Sequence, residues 1–367
     1  MNPQDLFYEI ALTRVPHIGV KLAKNLIAHC RGAEAVFREP SHNLLKINGI
    51  GQRHVENLKK SAALSEAEAN IKYLIDNSCH IAYYLNDDHY PKRLLQYDDA
   101  PILLYYRGTS NLNVLKTVGI VGTRKPNTYG KIQSELIVNS LYEYDVQIIS
   151  GLAYGVDSLA HQHAVSKGID NIAVMGTGLD QIYPAQNRKL AQQIEKKGCV
   201  LTEFPINTNP DRENFPMRNR IIAGMADAVV VIQSAHKGGS LITAEFANSY
   251  HKDVFAVPGR VDDEMSIGCN KLIKANKAHL IESADDIAYI MRWDSDKPKQ
   301  TNQIELFQEL SEEEQTIVNY LRTNEEVTID TLHHQTQLKS SELANHLLSL
   351  EFKGIIRSLP GKKYRIY

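Results

Sequence analysis

Six short apolar runs separated by helical patterns fill the middle of this chain, and they constrain its fold more than any other feature. The runs are residues 118–122, 147–150, 171–175, 199–202, 227–232 and 253–257. Helical patterns lie between them at 131–144, 156–166, 187–196, 218–225 and 241–250. Runs this short, joined by helices this long, predict parallel βαβ crossovers and a mostly parallel sheet covered on both faces. Nearly every run ends in glycine or a small polar residue: Gly122, Gly151, Gly176-Thr177-Gly178, Gly238-Gly239, Gly259. Ligands of open α/β sheets lie beyond the carboxyl ends of the strands. Several ends opened by glycine at once suit a long groove better than one small pocket.

The flanking parts read differently. Val15-Pro16-His17-Ile18-Gly19-Val20 precedes a helical pattern at 21–28, and Ile47-Asn48-Gly49-Ile50-Gly51 precedes another at 52–60. An apolar-Gly-apolar-Gly turn between short helices is similar to the helix-hairpin-helix element, with His17 standing where the first glycine of the first copy is usual. A helical, SAM-like domain is expected over 1–65. A connector follows at 66–113, with Tyr90-Pro91, Ala100-Pro101 and Gly108 marking extended segments and turns. The sheet domain is expected at 114–292 and a polar linker at 293–305. Residues 306–367 carry three helical patterns and then two short strands around Leu359-Pro360-Gly361-Lys362, the order of a winged helix. Its third helical pattern opens Ser340-Ser341-Glu342-Leu343-Ala344-Asn345-His346, poor in the Arg and Lys of a major-groove reader. A protein contact or a weak DNA role is expected there.

Candidate ligand groups concentrate in the sheet domain. Arg212, Phe215, Arg218, Asn219 and Arg220 fall within nine residues, and Lys237-Gly238-Gly239-Ser240 follows the fifth run. Guanidinium forks, bare N–H groups in glycine turns and helix N-termini are what a protein offers to phosphate. An aromatic ring beside them offers a base a stacking surface. Arg218 and Arg220 are two residues apart, so on a helix they diverge by about 200°. One can bind while the other braces. Gly122-Thr123-Arg124, Ser150-Gly151 and Gly268-Cys269-Asn270-Lys271 sit at other strand ends or helix starts. Ser240 is the expected N-cap of its helix, and Asp157 a stabiliser of the next helix start. These patterns point to single-stranded nucleic acid.

Bulk properties limit the alternatives. The net charge is −2 and the isoelectric point about 6.7. Residues 1–113, 114–292 and 293–367 carry +1, 0 and −3. A polyanion must therefore be held by a concentrated patch, not by bulk charge. Cys30, Cys79, Cys199 and Cys269 form no Cys-x-x-Cys pair and read as reduced structural thiols. No apolar run approaches the roughly 18 residues of a membrane span, and residues 1–15 do not read as a secretion signal. A cytoplasmic location is expected. Gly122 and Gly130 have the wrong spacing for a dinucleotide fingerprint, and no Gly-Lys-Ser/Thr P-loop occurs. His161 and His163 are two apart, and no His-Glu-x-x-His metal motif is present. No catalytic residue, metal or cofactor is expected.

Taken together, Gly119-Ile120-Val121-Gly122-Thr123-Arg124, Ser150-Gly151-Leu152-Ala153-Tyr154-Gly155-Val156-Asp157, Gly176-Thr177-Gly178-Leu179-Asp180 with Tyr183-Pro184, Asn214-Phe215-Pro216-Met217-Arg218-Asn219-Arg220, Gly238-Gly239-Ser240-Leu241-Ile242-Thr243-Ala244 and Pro258-Gly259 resemble the DNA-processing protein A family, also called Smf. The resemblance implies an α/β protein with an extended Rossmann-like domain that binds single-stranded DNA. It further implies a homodimer that protects incoming DNA in natural transformation and loads a RecA-type recombinase, with no catalytic activity. The DNA contacts it implies are Arg124, Arg212, Phe215, Arg218 and the Lys237–Ser240 loop. Asn276-Lys277 departs from the Gly-Ala common in the family. The Gly238-Gly239 loop is also similar to that of nucleotide phosphoribohydrolases, though it lacks the proline and the third glycine. A transcription factor working through the winged helix is a third reading.

Overall fold

The computed structural model describes residues 3–293 and 310–366, with residues 61, 86, 325, 354 and 360 excepted. The chain divides into two units, Met1–Ser295 and Asp296–Tyr367. The linker expected at 293–305 lies outside the described residues from 294 onward.

A nine-stranded sheet forms the first unit: β1 His80–Tyr83, β2 Leu103–Gly108, β3 Thr117–Val121, β4 Gln147–Ser150, β5 Asn171–Val174, β6 Cys199–Thr202, β7 Ala228–Val231, β8 Asp253–Ala256 and β9 His279–Leu280. Their order is β1-β2-β6-β5-β4-β3-β7-β8-β9. β1, β2 and β6 pair antiparallel, and every other pair is parallel. All residues of β3 to β7 are buried, because helices cover both faces. This is why the six runs are continuous rather than alternating. Val118 and Ile120 pack with the helices Thr128–Leu141, Val156–Lys167 and Ala284–Met291. Val121, Val229 and Val231 pack on the other side with Asn214–Met225, Gly239–Ser249 and Ile267–Lys274. Gly119 is the thin point of β3: a Cβ there would lie 3.3 Å from Ile222, Ala226 and Val229.

The 66–113 stretch is more than a connector. The helix Ala63–Asp76 runs through the boundary expected at residue 65, and β1 and β2 extend the sheet. Arg93 ties this stretch to the strands with a bidentate contact to Asp227, Nε–Oδ1 2.7 Å and Nη2–Oδ2 2.8 Å. The front helices are not a free-standing body either. Their buried residues Ile10, Leu26 and Leu44 belong to one apolar cluster with Leu103, Tyr105, Leu152 and Met175 of the sheet region. A helical piece of some 60 residues is marginal alone, and an apolar sheet edge gives it a surface to cover. The two glycine hairpins brace each other: Asn25 Nδ2 donates to Asn48 O at 2.9 Å, and Asn57 Nδ2 to Pro16 O at 2.9 Å.

The second unit has helices Glu312–Thr323, Ile329–Thr336 and Ser340–Phe352, with β10 Val327–Thr328, β11 Ile356–Leu359 and β12 Lys363–Ile366 in the order β10-β12-β11. Leu332, Leu343, Leu347, Leu350 and Ile356 fill its core. Ser311 and Glu314 form a reciprocal cap at its first helix.

Candidate nucleic-acid interface

The strand order turns outward in both directions from β3 and β7, so the carboxyl ends of five neighbouring strands open on one side. A cleft of about 580 Å³ lies there. Val121 lines it from the end of β3 and Arg124 from the loop that follows, Ala153 and Asp157 from the loop and helix after β4, and Tyr183 from the loop after β5. Pro210, Arg212, Phe215, Arg218 and Asn219 come from the segment after β6, and Gly239, Ser240, Ile242 and Thr243 from that after β7. Three helices, Val156–Lys167, Asn214–Met225 and Gly239–Ser249, start at this cleft. Their first N–H groups have no partner within the helix, and their dipoles favour negative charge.

Arg124 is exposed, and its guanidinium carbon lies 5.4 Å from the centroid of the Phe215 ring. Tyr183 meets the same ring with centroids 5.7 Å apart and planes at 44°. The Phe215 ring also lies over Gly176, where an added Cβ would come within 3.1 Å of it. Arg212 is exposed and Arg218 is not; only 3% of Arg218 meets solvent. Its Nη1 donates to the carbonyls of Gly151 and Val174, and its charge faces the buried Asp157. Burial outweighs their attraction on both sides. It lowers the Arg218 pKa to about 10 and raises that of Asp157 above the ordinary carboxylate value. The cleft's free positive charge is therefore carried by Arg124 and Arg212.

A family model described as DNA recombination-mediator protein A matches residues 82–292, and one described as the DprA winged helix domain matches 305–362. The chain belongs to the DprA/Smf family. It is 36% identical to protein Smf of Synechocystis over 292 residues, 76% of this chain and 71% of that one. With DNA processing protein DprA of Streptococcus pneumoniae it shares 40% over 206 residues, 56% of this chain and 72% of the relative. The X-ray structure of that pneumococcal protein aligns with a TM-score of 0.64 at 32% identity, covering 77% of this chain and 97% of the other. DNA processing protein A from Helicobacter pylori, whose structure concerns its single-stranded DNA binding mode, aligns with a TM-score of 0.53 at 29% identity, covering 59% of this chain and 96% of that one.

The residues singled out as DprA-type contacts divide into three groups. Arg124, Arg212, Phe215, Asn219, Gly239 and Ser240 line the cleft together. A second group shapes it from beneath. Ser150 Oγ donates to Ile120 O at 2.6 Å, which holds β4 to β3. Gly151 leaves room for Arg218 and Asp157: a Cβ there would lie 2.5 Å from each. Gly122 does the same for Val156, again at 2.5 Å. Thr123 accepts through Oγ1 from Lys125 N at 3.2 Å. Gly238 is the N-cap of its helix, and an added Cβ there would lie 2.2 Å from Ser234 Oγ. Ser240 is not the cap that its sequence position suggests. The helix begins at Gly239, two residues earlier than a Ser240 cap would place it, and Ser240 Oγ donates to Ser234 Oγ at 2.9 Å. Arg218 joins this group as a brace rather than a free contact.

The third group lies away from the cleft lining. Arg220 is buried and pairs with Glu203, because the two-residue spacing turns it to the far side of its helix. Asn270 clamps Gly259 through both backbone groups, Nδ2 to O at 2.9 Å and N to Oδ1 at 3.1 Å. Lys271 is exposed on the helix Ile267–Lys274, and Lys237 on the loop before Gly238. Asp157 does sit in the first turn of its helix, but what it faces is Arg218. Tyr183 is the residue that sequence reasoning left without a role. Its signals in the sequence are its place, a few residues beyond the glycines that end β5, and the Tyr183-Pro184 pair among the family motifs.

Proposed function

We propose that this cleft binds single-stranded DNA, in keeping with DNA processing in transformation and recombination. The observation that carries the reading is the meeting of two free arginines, two aromatic rings and three helix N-termini along one 580 Å³ cleft. The arginines and helix starts suit phosphates, and Phe215 and Tyr183 suit the faces of bases without regard to sequence. This arrangement explains how a chain of net charge −2 can take a polyanion. The Helicobacter relative, studied for its single-stranded DNA binding, supports the same reading.

The cleft works by binding rather than by chemistry. Asp157, its one carboxylate, is buried against Arg218 and is engaged as a structural counter-charge. A homodimer that shields the strand and passes it to a RecA-type recombinase completes the proposal, as family membership suggests. The test is a fluorescence anisotropy titration with a labelled single-stranded oligonucleotide at several salt concentrations. A log–log salt slope of about −1.4, roughly 0.7 for each of the two free arginines, is expected with little sequence preference. A protein that shows no salt-dependent oligonucleotide binding, or that releases free base from nucleoside monophosphates, sinks the reading.

A further inference from the structure

The winged-helix unit separates its charges in a way that its core does not require. From Phe352 to Tyr367 there are five basic residues and no acidic one, whereas Glu312, Glu313, Glu314, Asp330, Glu342 and Glu351 lie in the preceding helices. In the hairpin, Ile356 is opposite Ile366 and Arg357 is opposite Arg365. Successive side chains on a strand point to opposite faces. Ile356 is fully buried and Ile366 packs against the same core, so Arg357 and Arg365 stand together on the solvent face.

Directly opposed residues on a sheet have Cβ atoms about 5 Å apart, and like charges placed so are destabilising. Among the described residues, neither arginine has an ion-pair or hydrogen-bond partner. The nearby carboxylate of Glu351 is already engaged by Ser358, N at 3.1 Å and Oγ at 2.7 Å. Lys363 shares the solvent face, held only by an exposed pair with Glu326 at 3.3 Å. Lys362 sits in the turn with φ 55°. Arg365 and Arg322 line a hollow of about 610 Å³ alongside, with Glu326, the partner of Lys363, as its one carboxylate among the described residues. The third helix, by contrast, exposes Ser341, Glu342, Ala344, Asn345 and Leu348, with no cation among them.

We propose that the solvent face of the β11–β12 hairpin is a second nucleic-acid contact, in which Arg357 and Arg365 grip the phosphodiester backbone while the third helix reads no bases. An anionic phosphate between the two guanidiniums turns their mutual repulsion into a shared attraction. Among the described residues the face shows no exposed aromatic anchor, which favours a nucleic acid over a lipid surface.

The experiment compares the full chain with its Arg357→Ser/Arg365→Ser variant on a blunt duplex and on a single strand. Arg124→Ala serves as the reference for the cleft. The hairpin variant is expected to lower the salt slope by about 1.8 on the duplex, or by about 1.4 on the single strand, whichever backbone the hairpin takes. Arg357→Lys/Arg365→Lys is expected to keep most of the slope. The serine variant should melt no lower than the parent, because it removes two opposed like charges. Unchanged slopes on both nucleic acids overturn the proposal. So does a loss confined to phosphatidylcholine–phosphatidylserine vesicle binding, which would assign the face to a membrane. A change in Arg124→Ala alone bears on the cleft and leaves the hairpin without a role, which also overturns it.

Discussion

The Arg124 guanidinium carbon sits 5.4 Å from the centroid of the Phe215 ring, although 91 positions separate the two in the chain. Arg124 comes from the loop after β3 and Phe215 from the start of the helix Asn214–Met225. The sheet order puts both at the carboxyl ends of the strands, and the contact gives the arginine a fixed place over the ring. An exposed cation–π pair contributes roughly 0.5–1 kcal/mol. Its larger consequence is that a free cation and an aromatic face are held side by side.

Removing either member is expected to weaken binding without unfolding the protein. Arg124→Ala should lower the single-strand salt slope by about 0.7, one phosphate contact. Phe215→Ala or Tyr183→Ala should cost about 1–3 kcal/mol of binding, the range for lost base stacking. Anisotropy titration gives these numbers, with a thermal melt as the control. A normal melt and unchanged affinity in Arg124→Ala would remove that residue from the site.

Arg218 is expected to behave in the opposite way. Arg218→Ala leaves Asp157 as an uncompensated buried charge and strips the carbonyls of Gly151 and Val174 of a donor. A loss of about 3–5 kcal/mol is expected, read as a lower urea midpoint at unchanged m-value. Lysine should not restore it, because a single ammonium lacks the planar fork. Wild-type stability in Arg218→Ala would show that the buried pair is not a brace.

Gly155 has φ 79° and packs on the loop that carries Arg124, where an added Cβ would come within 2.3 Å of Thr123 O. Gly155→Ala is therefore expected to destabilise by about 2 kcal/mol and to displace Arg124. Chemical denaturation and oligonucleotide affinity should both fall. Retained affinity at reduced stability would separate the loop's packing from its binding role.

Stability should decline on mild acidification because of His161. The ring is fully buried, its Nδ1 donates to Asn171 Oδ1 at 2.8 Å, and burial drops its pKa to about 4. Below pH 6.5 the unfolded chain takes up a proton that the folded one refuses, so stability is lost as pH falls from about 6.5 toward 4. The full effect is about 3 kcal/mol. Asp157 works in the reverse sense, since its raised pKa makes the folded state relatively better as pH falls through that value. Subtracting the pH profile of His161→Gln from that of the parent isolates the histidine. Parallel profiles would show that His161 does not titrate in this way.

Much of the fold is written in local patterns. Residues 118–122 and 227–232 read as strands, and they form β3 Thr117–Val121 and β7 Ala228–Val231. Burial on both faces demands unbroken apolar runs, and a run is visible without knowing its neighbours. β1 and β2 are harder to see because prolines and turns lie between them, and because β2 is held by β6 across about 95 positions while β1 is added at the sheet edge beyond it. The front helices look separable for a similar reason: an amphipathic pattern shows that a face must be covered, not what covers it.

The site divides along the same line. Residue types and the family resemblance single out Arg124, Arg212, Phe215 and the Gly238-Gly239 turn as candidates, because the chemical groups themselves are visible in the sequence; that Arg124, Arg212, Phe215 and Gly239 line one cleft is a fact of the fold. Which arginines remain free was settled by folding. Arg218 reaches the carbonyl of Gly151, 67 residues away, and Arg220 reaches Glu203 on the far side of its helix. Desolvation depends on contacts between remote parts of the chain, and a one-dimensional pattern holds no record of them.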